Sequence, residues 1–116
     1  MSFTPRVIAF KFITTTPAIA TSASVTALVV SPDIRNRLAN DVIVVPVSSV
    51  LREAPTHVRL RVREGGLPRP SMAKCEQITT LRRDRLVPRP LGGNIAPARM
   101  VEIEKAVLRA IGVPVR

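Results

Sequence analysis

Two adjacent glycines, Gly65 and Gly66, open the stretch that most restricts how this chain can fold. Glycine adopts positive φ angles without steric cost, so the pair favours the tip of a hairpin. Pro68 and Pro70 follow, and proline keeps the next residues extended and out of a helix. Residues 71–78 then mix small or apolar residues with polar ones, as in a strand with at least one covered face. The stretch therefore predicts a hairpin that leads into a strand, which makes β structure central to the fold.

The rest of the chain predicts further short strands and one C-terminal helix. Runs of β-branched and aliphatic residues predict strands over residues 6–13, 25–30, 41–47 and 57–62. Pro46 places the third of these at a sheet edge or a bulge. Apolar residues at helical spacing predict a helix over residues 94–112, with Asn94 as its N-cap and Gly112 at its end.

The connecting segments give weaker signals. Residues 33–38 predict a short helix or turn capped by Ser31 or Asp33. Residues 79–86 predict a short helical turn, and residues 87–93 a turn or a short strand. Short strands followed by one helix are typical of a small, strongly bent antiparallel sheet or barrel with the helix packed across it. We expect one domain over residues 1–116.

Charge limits the partners that this chain can have. The formal charge is +10, which favours a polyanionic partner such as nucleic acid, an acidic protein segment or an anionic membrane face. The charge-free segment 12–32 is too rich in Thr and Ser, and too clearly broken by Pro17, to span a membrane. One cysteine and one histidine exclude an internal disulfide and a His-rich metal site, so we expect no metal or cofactor and a reducing cytoplasm.

A set of motifs from Ala27 to the C-terminus recurs in the order and spacing of a known family. The pieces are ALVVSPD at 27–33, Asn36 with Arg37, VIVVPVSS at 42–49, GGLPRPSMAKCEQITTL at 65–81, DRL at 84–86, LG at 91–92 and MVE at 100–102. Together they resemble the MazF/PemK family of toxin endoribonucleases, and residues 1–26 form a divergent first strand and loop.

This resemblance implies a fold, an activity and partners. The implied fold is mostly β with a C-terminal α-helix, an SH3-like small β-barrel of the MazF/CcdB type that is usually a homodimer. The implied activity is metal-independent, sequence-selective cleavage of single-stranded RNA. The implied partner is an antitoxin whose acidic C-terminal segment wraps the toxin.

Cleavage by the ribose 2′-OH needs a proton acceptor, a proton donor for the leaving 5′ oxygen and positive charge for the phosphorane. The resemblance assigns the hydroxyl of this site to Ser48 and RNA-binding positions to Ser49, Asn36 and Gln77. Three of these residues have a structural alternative: Ser48 as a strand-end residue, Asn36 as a turn-stabilising residue and Gln77 as a solvated polar residue.

A basic row is predicted independently of the resemblance. The alternation of residues 57–62 places His57, Arg59 and Arg61 on one face of a half-buried strand. The two arginines either bind RNA phosphates or form an ordinary solvated face.

The family's catalytic arginine maps to Val25, and this is the main departure from the family pattern. Valine can neither transfer a proton nor stabilise a dianion. The basic residues that could replace the arginine in space are Arg6, Lys11, Arg59, Arg61 and Arg63. Otherwise the domain is catalytically impaired, or the encoding DNA is read in a shifted frame upstream of Ala27. The rival functions are a non-cleaving toxin that binds antitoxin or RNA, and a gyrase poison of the CcdB type.

Overall fold

A computed structural model describes residues 8–13, 24–82, 84, 86–90 and 95–116, with backbone alone for residues 8–13, 24–25 and 86–90. The strands are β1 Ile8–Ile13, β2 Ser24–Val29, β3 Asp41–Ser48, β4 His57–Leu60, β5 Ser71–Lys74, β6 Thr79–Arg82 and β7 Leu86–Pro90. The helices are α1 Asp33–Leu38 and α2 Pro97–Ala110. The predicted fold class, mostly β with a C-terminal helix, is confirmed.

The strands form one antiparallel sheet. Its order is β4-β5-β3-β2-β1-β7, and β6 also pairs with β3. Among the described strands, β4 and β7 lie at the two ends of this order and do not pair with each other, so the sheet is open. The expected barrel is therefore not closed by the pairings in this part of the chain.

Strand β3 is the centre of the sheet, because it has β2 on one side and two different strands on the other. Its first residues, 41–44, pair with β6, and Val47 and Ser48 pair with β5. Pro46 lies between these two pairings in a strand that is paired on both sides, so the sheet edge, one of its two predicted positions, is wrong. The N–H and C=O of Ile43 both point toward the β2 side, to Ser31 Oγ and Val30 N. The backbone groups of successive strand residues point to alternate sides, so those of Pro46 point away from β2, toward the gap between β6 and β5. A residue without an N–H leaves no donor unpaired there.

Two apolar clusters cover the two faces of the sheet. The larger lies under α2 and includes Leu28, Val45, Leu60, Cys75, Met100 and Ile103. The smaller lies on the opposite face and consists of Ala27, Val29, Val42 and Val44, with Leu81 packed against it. Side chains of successive strand residues point to opposite faces, which is why β2 contributes to both clusters.

Several predicted element boundaries differ from those observed. The predicted strand over residues 71–78 ends at Lys74, and a 3₁₀ turn, Cys75–Gln77, follows it. Residues 79–82 form β6 and not a helical turn, because they pair with the first half of β3. The strand predicted over residues 57–62 ends at Leu60. Helix α2 begins after Ala96, and the predicted N-cap Asn94 lies outside the described residues.

The glycine prediction is confirmed. Gly65 and Gly66 have φ angles of 60° and 84° in the 3₁₀ turn Glu64–Gly66, which connects the paired strands β4 and β5. Arg63, which Glu64 separates from the glycines, also lies in the left-handed region, with a φ of 72°.

The described helices are too short or too polar to cross a bilayer. In the same part of the chain, the His, Cys, Asp and Glu side chains do not gather into groups of three or more that could hold a metal ion.

Candidate functional site

Pairing across three strands places two of the predicted site residues on one face of the sheet. Ser48 of β3 is opposite Met72 of β5, and Met72 is opposite Arg59 of β4. Directly opposed residues of antiparallel strands share a face, so these residues form a row, which we call the Ser48–Arg59 row. Neighbouring strands lie about 4.8 Å apart, which puts the two ends of the row about 10 Å apart at the Cα atoms.

The hydroxyl of Ser48 is oriented by the chain that follows it. The Val50 N–H donates to Ser48 Oγ at 3.1 Å. The same oxygen carries a hydrogen that it can donate to a phosphate oxygen. Ser49, the next residue, is exposed on the loop that leaves β3. The local turn therefore fixes one side of the hydroxyl and leaves its donor for a ligand.

The guanidinium of Arg59 is accessible and weakly held. Its side chain is 55% exposed, and Nη2 donates to Glu53 Oε1 at 3.3 Å. An exposed ion pair of this kind contributes little to stability, so a phosphate can displace the carboxylate. Arg61 lies beyond the end of β4, and its backbone N–H donates to Glu64 Oε1 at 2.8 Å. The predicted basic row is thus shorter than expected, and Arg59 is the arginine that β4 aligns with Ser48.

Asn36 has a structural role in the observed contacts. Its Nδ2 donates to Ser31 O at 2.9 Å, and its Oδ1 accepts from Ser31 Oγ at 2.5 Å. Ser31 Oγ also accepts the Ile43 N–H at 2.9 Å. These bonds fix the start of α1 to β3, so the turn-stabilising alternative accounts for the Asn36 amide.

Gln77 lies on the 3₁₀ turn after β5 and is exposed. Its neighbour Glu76 binds His57, a contact that the sequence did not reveal. His57 Nε2 lies 3.0 Å from Glu76 Oε2, and His57 Nδ1 lies 2.6 Å from the carbonyl oxygen of Arg52. His57 lies on the same face of β4 as Arg59, as predicted, but its side chain is only 6% exposed, whereas that of Arg59 is 55% exposed. The contact between this enclosed side chain and a carboxylate distant in sequence depends on the β4–β5 pairing, which no local motif predicts.

The pKa values of this pair shift in opposite directions. The hydrogen bond to the Arg52 carbonyl, and then the one to Glu76, raise the pKa of His57. Burial works to raise the pKa of Glu76, but its hydrogen bonds, first among them the one from His57, lower that pKa below its ordinary value. Both shifts favour the charged pair.

The structure describes only part of the residues that could replace the missing arginine at Val25. Backbone pairing joins Val25 to Phe12 and Lys11 to Thr26, and Thr26 pairs with Val47, the residue before Ser48. The side chains of Val25 and Lys11 lie outside the described part of the structure, as does all of Arg6. The described cation that shares a row with Ser48 is Arg59.

Cys75 is buried and has no place in this site. Its side chain is fully enclosed in the core under α2, and burial raises the pKa of the thiol to about 12. The residue begins the 3₁₀ turn Cys75–Gln77 that follows β5.

The fold is that of solved ribonuclease toxins. A structure of an endoribonuclease in complex with its cognate antitoxin, from Mycobacterial species, superposes with a TM-score of 0.78 at 26% identity, covering 97% of each chain. An endoribonuclease from Mycobacterial species gives a TM-score of 0.76 at 27% identity, covering 100% of this chain and 98% of that one. A MazE-MazF structure (Form-II) from Deinococcus radiodurans shares the fold, with a TM-score of 0.76 at 17% identity and coverage of 98% and 100%. No curated protein matches the sequence.

These structures define the class as the endoribonuclease toxins of toxin–antitoxin systems. Residues 17–111 match the family described as PemK-like, MazF-like toxin of type II toxin-antitoxin system, and the chain belongs to that family. The resemblance found in the sequence is therefore confirmed.

Proposed function

We propose that this protein is the toxin of a type II toxin–antitoxin pair and cleaves single-stranded RNA slowly, at selected sequences and without a metal. The observation that carries the proposal is the Ser48–Arg59 row, a hydroxyl and an accessible guanidinium on one face of the sheet. The family match and the endoribonuclease neighbours support the activity.

The row supplies part of the chemistry that such cleavage needs. The 2′ oxygen of the ribose bonds to phosphorus, its proton leaves to a base, and the bond to the 5′ oxygen breaks as that oxygen gains a proton. Ser48 donates a hydrogen bond that positions the phosphate, and Arg59 places positive charge where the phosphorane develops. Ser49 and Gln77, both exposed, contact the bases or the sugar on either side.

Val25 is the reason for the low rate. At this position the resemblance places an arginine that takes part in proton transfer, and valine has no group for that step. Removing one such preorganised donor typically slows a reaction by about 10²–10³-fold. Arg59 supplies positive charge but does not replace the proton transfer. We therefore expect the protein to bind RNA but to cleave it slowly.

We propose an acidic antitoxin segment as the protein partner and the cytoplasm as the location. The charge of +10 attracts a polyanion of either kind, so RNA and antitoxin compete for one surface. The Mycobacterial neighbour is itself in complex with its cognate antitoxin, which supports this choice.

We also propose a homodimer in which the outer side of α2 takes part. Val101, Leu108 and Ile111 follow one another at helical spacing and are 46%, 38% and 66% exposed. An apolar groove of about 430 Å³, lined in part by Val30, Ile78 and Leu108, lies beside them. An exposed apolar stripe next to a groove is typical of a protein interface. Leu108→Glu should therefore shift the sedimentation of the protein toward the monomer, whereas Leu38→Glu on α1 should not.

Mapping of RNA ends tests the activity. The purified protein is incubated with mixed single-stranded RNAs in EDTA, beside Val25→Arg, Ser48→Ala and Arg59→Met variants. We expect weak cleavage at defined sequences, about 10²–10³-fold faster cleavage by Val25→Arg, and loss of cleavage in Ser48→Ala.

Arg82→Met is the matched control for Arg59→Met. Both arginines lie on strands, are more than half exposed and pair with one acidic residue, Asp84 in the case of Arg82. Each substitution removes one positive charge, so non-specific attraction to RNA falls equally. Cleavage that falls only in Arg59→Met supports the row, and an equal fall in both contradicts it. If the wild type and Val25→Arg both leave RNA intact but bind antitoxin, the protein is a non-cleaving binder. A gyrase supercoiling assay then tests the gyrase-poison alternative.

A further inference from the structure

His57 bridges two segments that carry predicted RNA-binding residues. Its Nδ1 reaches the carbonyl oxygen of Arg52 in the loop 49–56, and its Nε2 reaches the Glu76 carboxylate in the turn beside Gln77. We call this arrangement the His57 bridge. The ring is almost fully enclosed, with a side chain that is 6% exposed.

Both partners of the ring can only accept hydrogen bonds. A carbonyl oxygen and an ionised carboxylate have no hydrogen to donate, so both ring nitrogens must carry one. That is the imidazolium form, with one positive charge. The neutral ring has a single N–H and can satisfy only one of the two contacts. Protonation of His57 is therefore what completes the bridge.

Neighbouring contacts reinforce the connection between the same segments. Thr56 Oγ1 donates to the other oxygen of Glu76 at 3.1 Å. The Cys75 N–H donates to the Thr56 carbonyl at 2.9 Å, and the His57 N–H closes the loop onto the Ala54 carbonyl at 3.0 Å. The loop begins at Ser49, next to the Ser48 hydroxyl, and the turn ends at Gln77.

We propose that His57 is a positioning residue for RNA: the protonated bridge holds the loop 49–56 and the Gln77 turn in the arrangement that binds single-stranded RNA, and deprotonation loosens it. This inference rests on the proposed function. His57 itself does not reach the RNA, because its enclosed ring has both nitrogens bonded within the protein.

The charges around the ring determine the direction of the effect. Glu76, on the turn, raises the pKa of His57, as does the Arg52 carbonyl, while Lys74 on the paired strand β5 works to lower it. The pKa lies above the ordinary value of 6.5. The bridge therefore stabilises the fold fully between about pH 4.5, above which Glu76 is ionised, and about pH 6.5, and loses this contribution as the pH rises through the raised pKa of His57.

His57 is the single histidine in the sequence, so its titration can be followed without ambiguity. The ring ¹⁵N and ¹H shifts are recorded by NMR as a function of pH in the wild type, Glu76→Gln and Thr56→Val. Thr56→Val is the matched control, because it removes a hydrogen bond to Glu76 and leaves both ring contacts in place. We expect a raised pKa in the wild type, a small change in Thr56→Val and a clear decrease in Glu76→Gln.

RNA affinity is measured on the same proteins with a pool of 2′-O-methyl single-stranded oligonucleotides, which resist cleavage. Fluorescence anisotropy with a pH-insensitive dye gives Kd across the same pH range. We expect affinity to weaken about tenfold as the pH passes through the NMR midpoint, which is about what one charge-assisted hydrogen bond contributes. The affinity midpoint should move with the NMR midpoint in Glu76→Gln, and His57→Gln should remove the pH dependence.

The outcomes separate this inference from the proposed function. A His57 pKa at or below 6.5 overturns the bridge, whatever the RNA affinity. A raised pKa with pH-independent affinity overturns the positioning role. A salt dependence of log Kd that is steeper by about 0.7 below the midpoint shows that the ring contacts a phosphate directly, which also overturns it. Absence of RNA binding at every pH, with a raised pKa, refutes the proposed function and the RNA part of this inference while the bridge itself stands.

Discussion

The contact between α2 and the turn before β5 should contribute measurably to stability. In this contact Arg99 donates two hydrogen bonds to Glu64, from Nε to Oε2 at 2.8 Å and from Nη2 to Oε1 at 3.1 Å. Only 22% of the Arg99 side chain and 21% of the Glu64 side chain are exposed. Replacing Arg99 by methionine keeps an unbranched side chain and similar helix propensity, but leaves a largely buried carboxylate with the Arg61 N–H as its described donor.

The expected loss lies between two known limits. Exposed ion pairs contribute about 0–1 kcal/mol, and breaking a fully buried pair costs about 3–5 kcal/mol. A pair with about a fifth of its surface exposed should fall between them, so we expect Arg99→Met to lower the free energy of unfolding by about 2 kcal/mol. For a domain of this size that corresponds to a decrease in Tm of about 8 °C.

Urea denaturation followed by circular dichroism checks this value. Wild type and variants are compared at one protein concentration, because self-association would otherwise change the apparent stability. Arg82→Met is the control. The side chain of Arg82 is 71% exposed and that of its partner Asp84 is 61% exposed, so this substitution should lower the free energy of unfolding by no more than about 0.5 kcal/mol. Equal losses in the two variants would refute the reasoning.

The pH dependence gives a second check on the same pair. Burial works to raise the pKa of Glu64, but the hydrogen bonds from Arg99 and from the Arg61 N–H lower it below its ordinary value of 4.5. A carboxyl with a lowered pKa stabilises the fold above its unfolded-state pKa and loses this contribution as the pH falls through the folded-state value. The difference between wild type and Arg99→Met should therefore be full at pH 7 and shrink below about pH 4.5. A difference that stays constant down to pH 3 would mean that the contact is not ionic.

Other residues give further expected outcomes. Ser31→Ala removes the hydroxyl between Asn36 and the Ile43 N–H, and should cost about 1–3 kcal/mol in urea denaturation. Ile103→Ala, in the core under α2, should cost about 2–5 kcal/mol, whereas Ile34→Ala, at 68% exposure, should stay within about 0.5 kcal/mol. Cys75, whose burial raises its pKa to about 12, should resist iodoacetamide at pH 8 in the native protein and react in urea, as mass spectrometry would show. Rapid native alkylation would contradict its enclosure.

Local patterns predicted the elements whose signals are local. The alternation of Val58 and Leu60 gave the buried face of β4, and the glycine pair gave the positive φ angles of the following turn. Strand β6 was missed because its polar residues look like a turn until they are paired with β3, far away in sequence. Likewise Cys75 begins a 3₁₀ turn without any glycine or proline to mark it.

The residues of the site were predictable from local patterns, but their arrangement was not. Ser48 follows from its position after a recognisable strand motif, and Arg59 from the alternation of β4. Their alignment depends on β5 lying between β3 and β4, which no local pattern specifies. The His57 bridge depends on the same pairing, so the alternation of β4 predicts the face on which His57 lies but not the enclosure of its side chain.

The Ser48–Arg59 row also has a consequence for biosynthesis. Ser48 belongs to the strands β1 to β3, which pair with their neighbours in sequence, and Arg59 belongs to the β4–β5 hairpin made later. A ribosome-bound chain that has folded its first half holds the hydroxyl without the guanidinium. Under the proposed function, the two groups meet only when the hairpin pairs with the end of β3, so the site is complete only after β5 has been synthesised and has paired with β3.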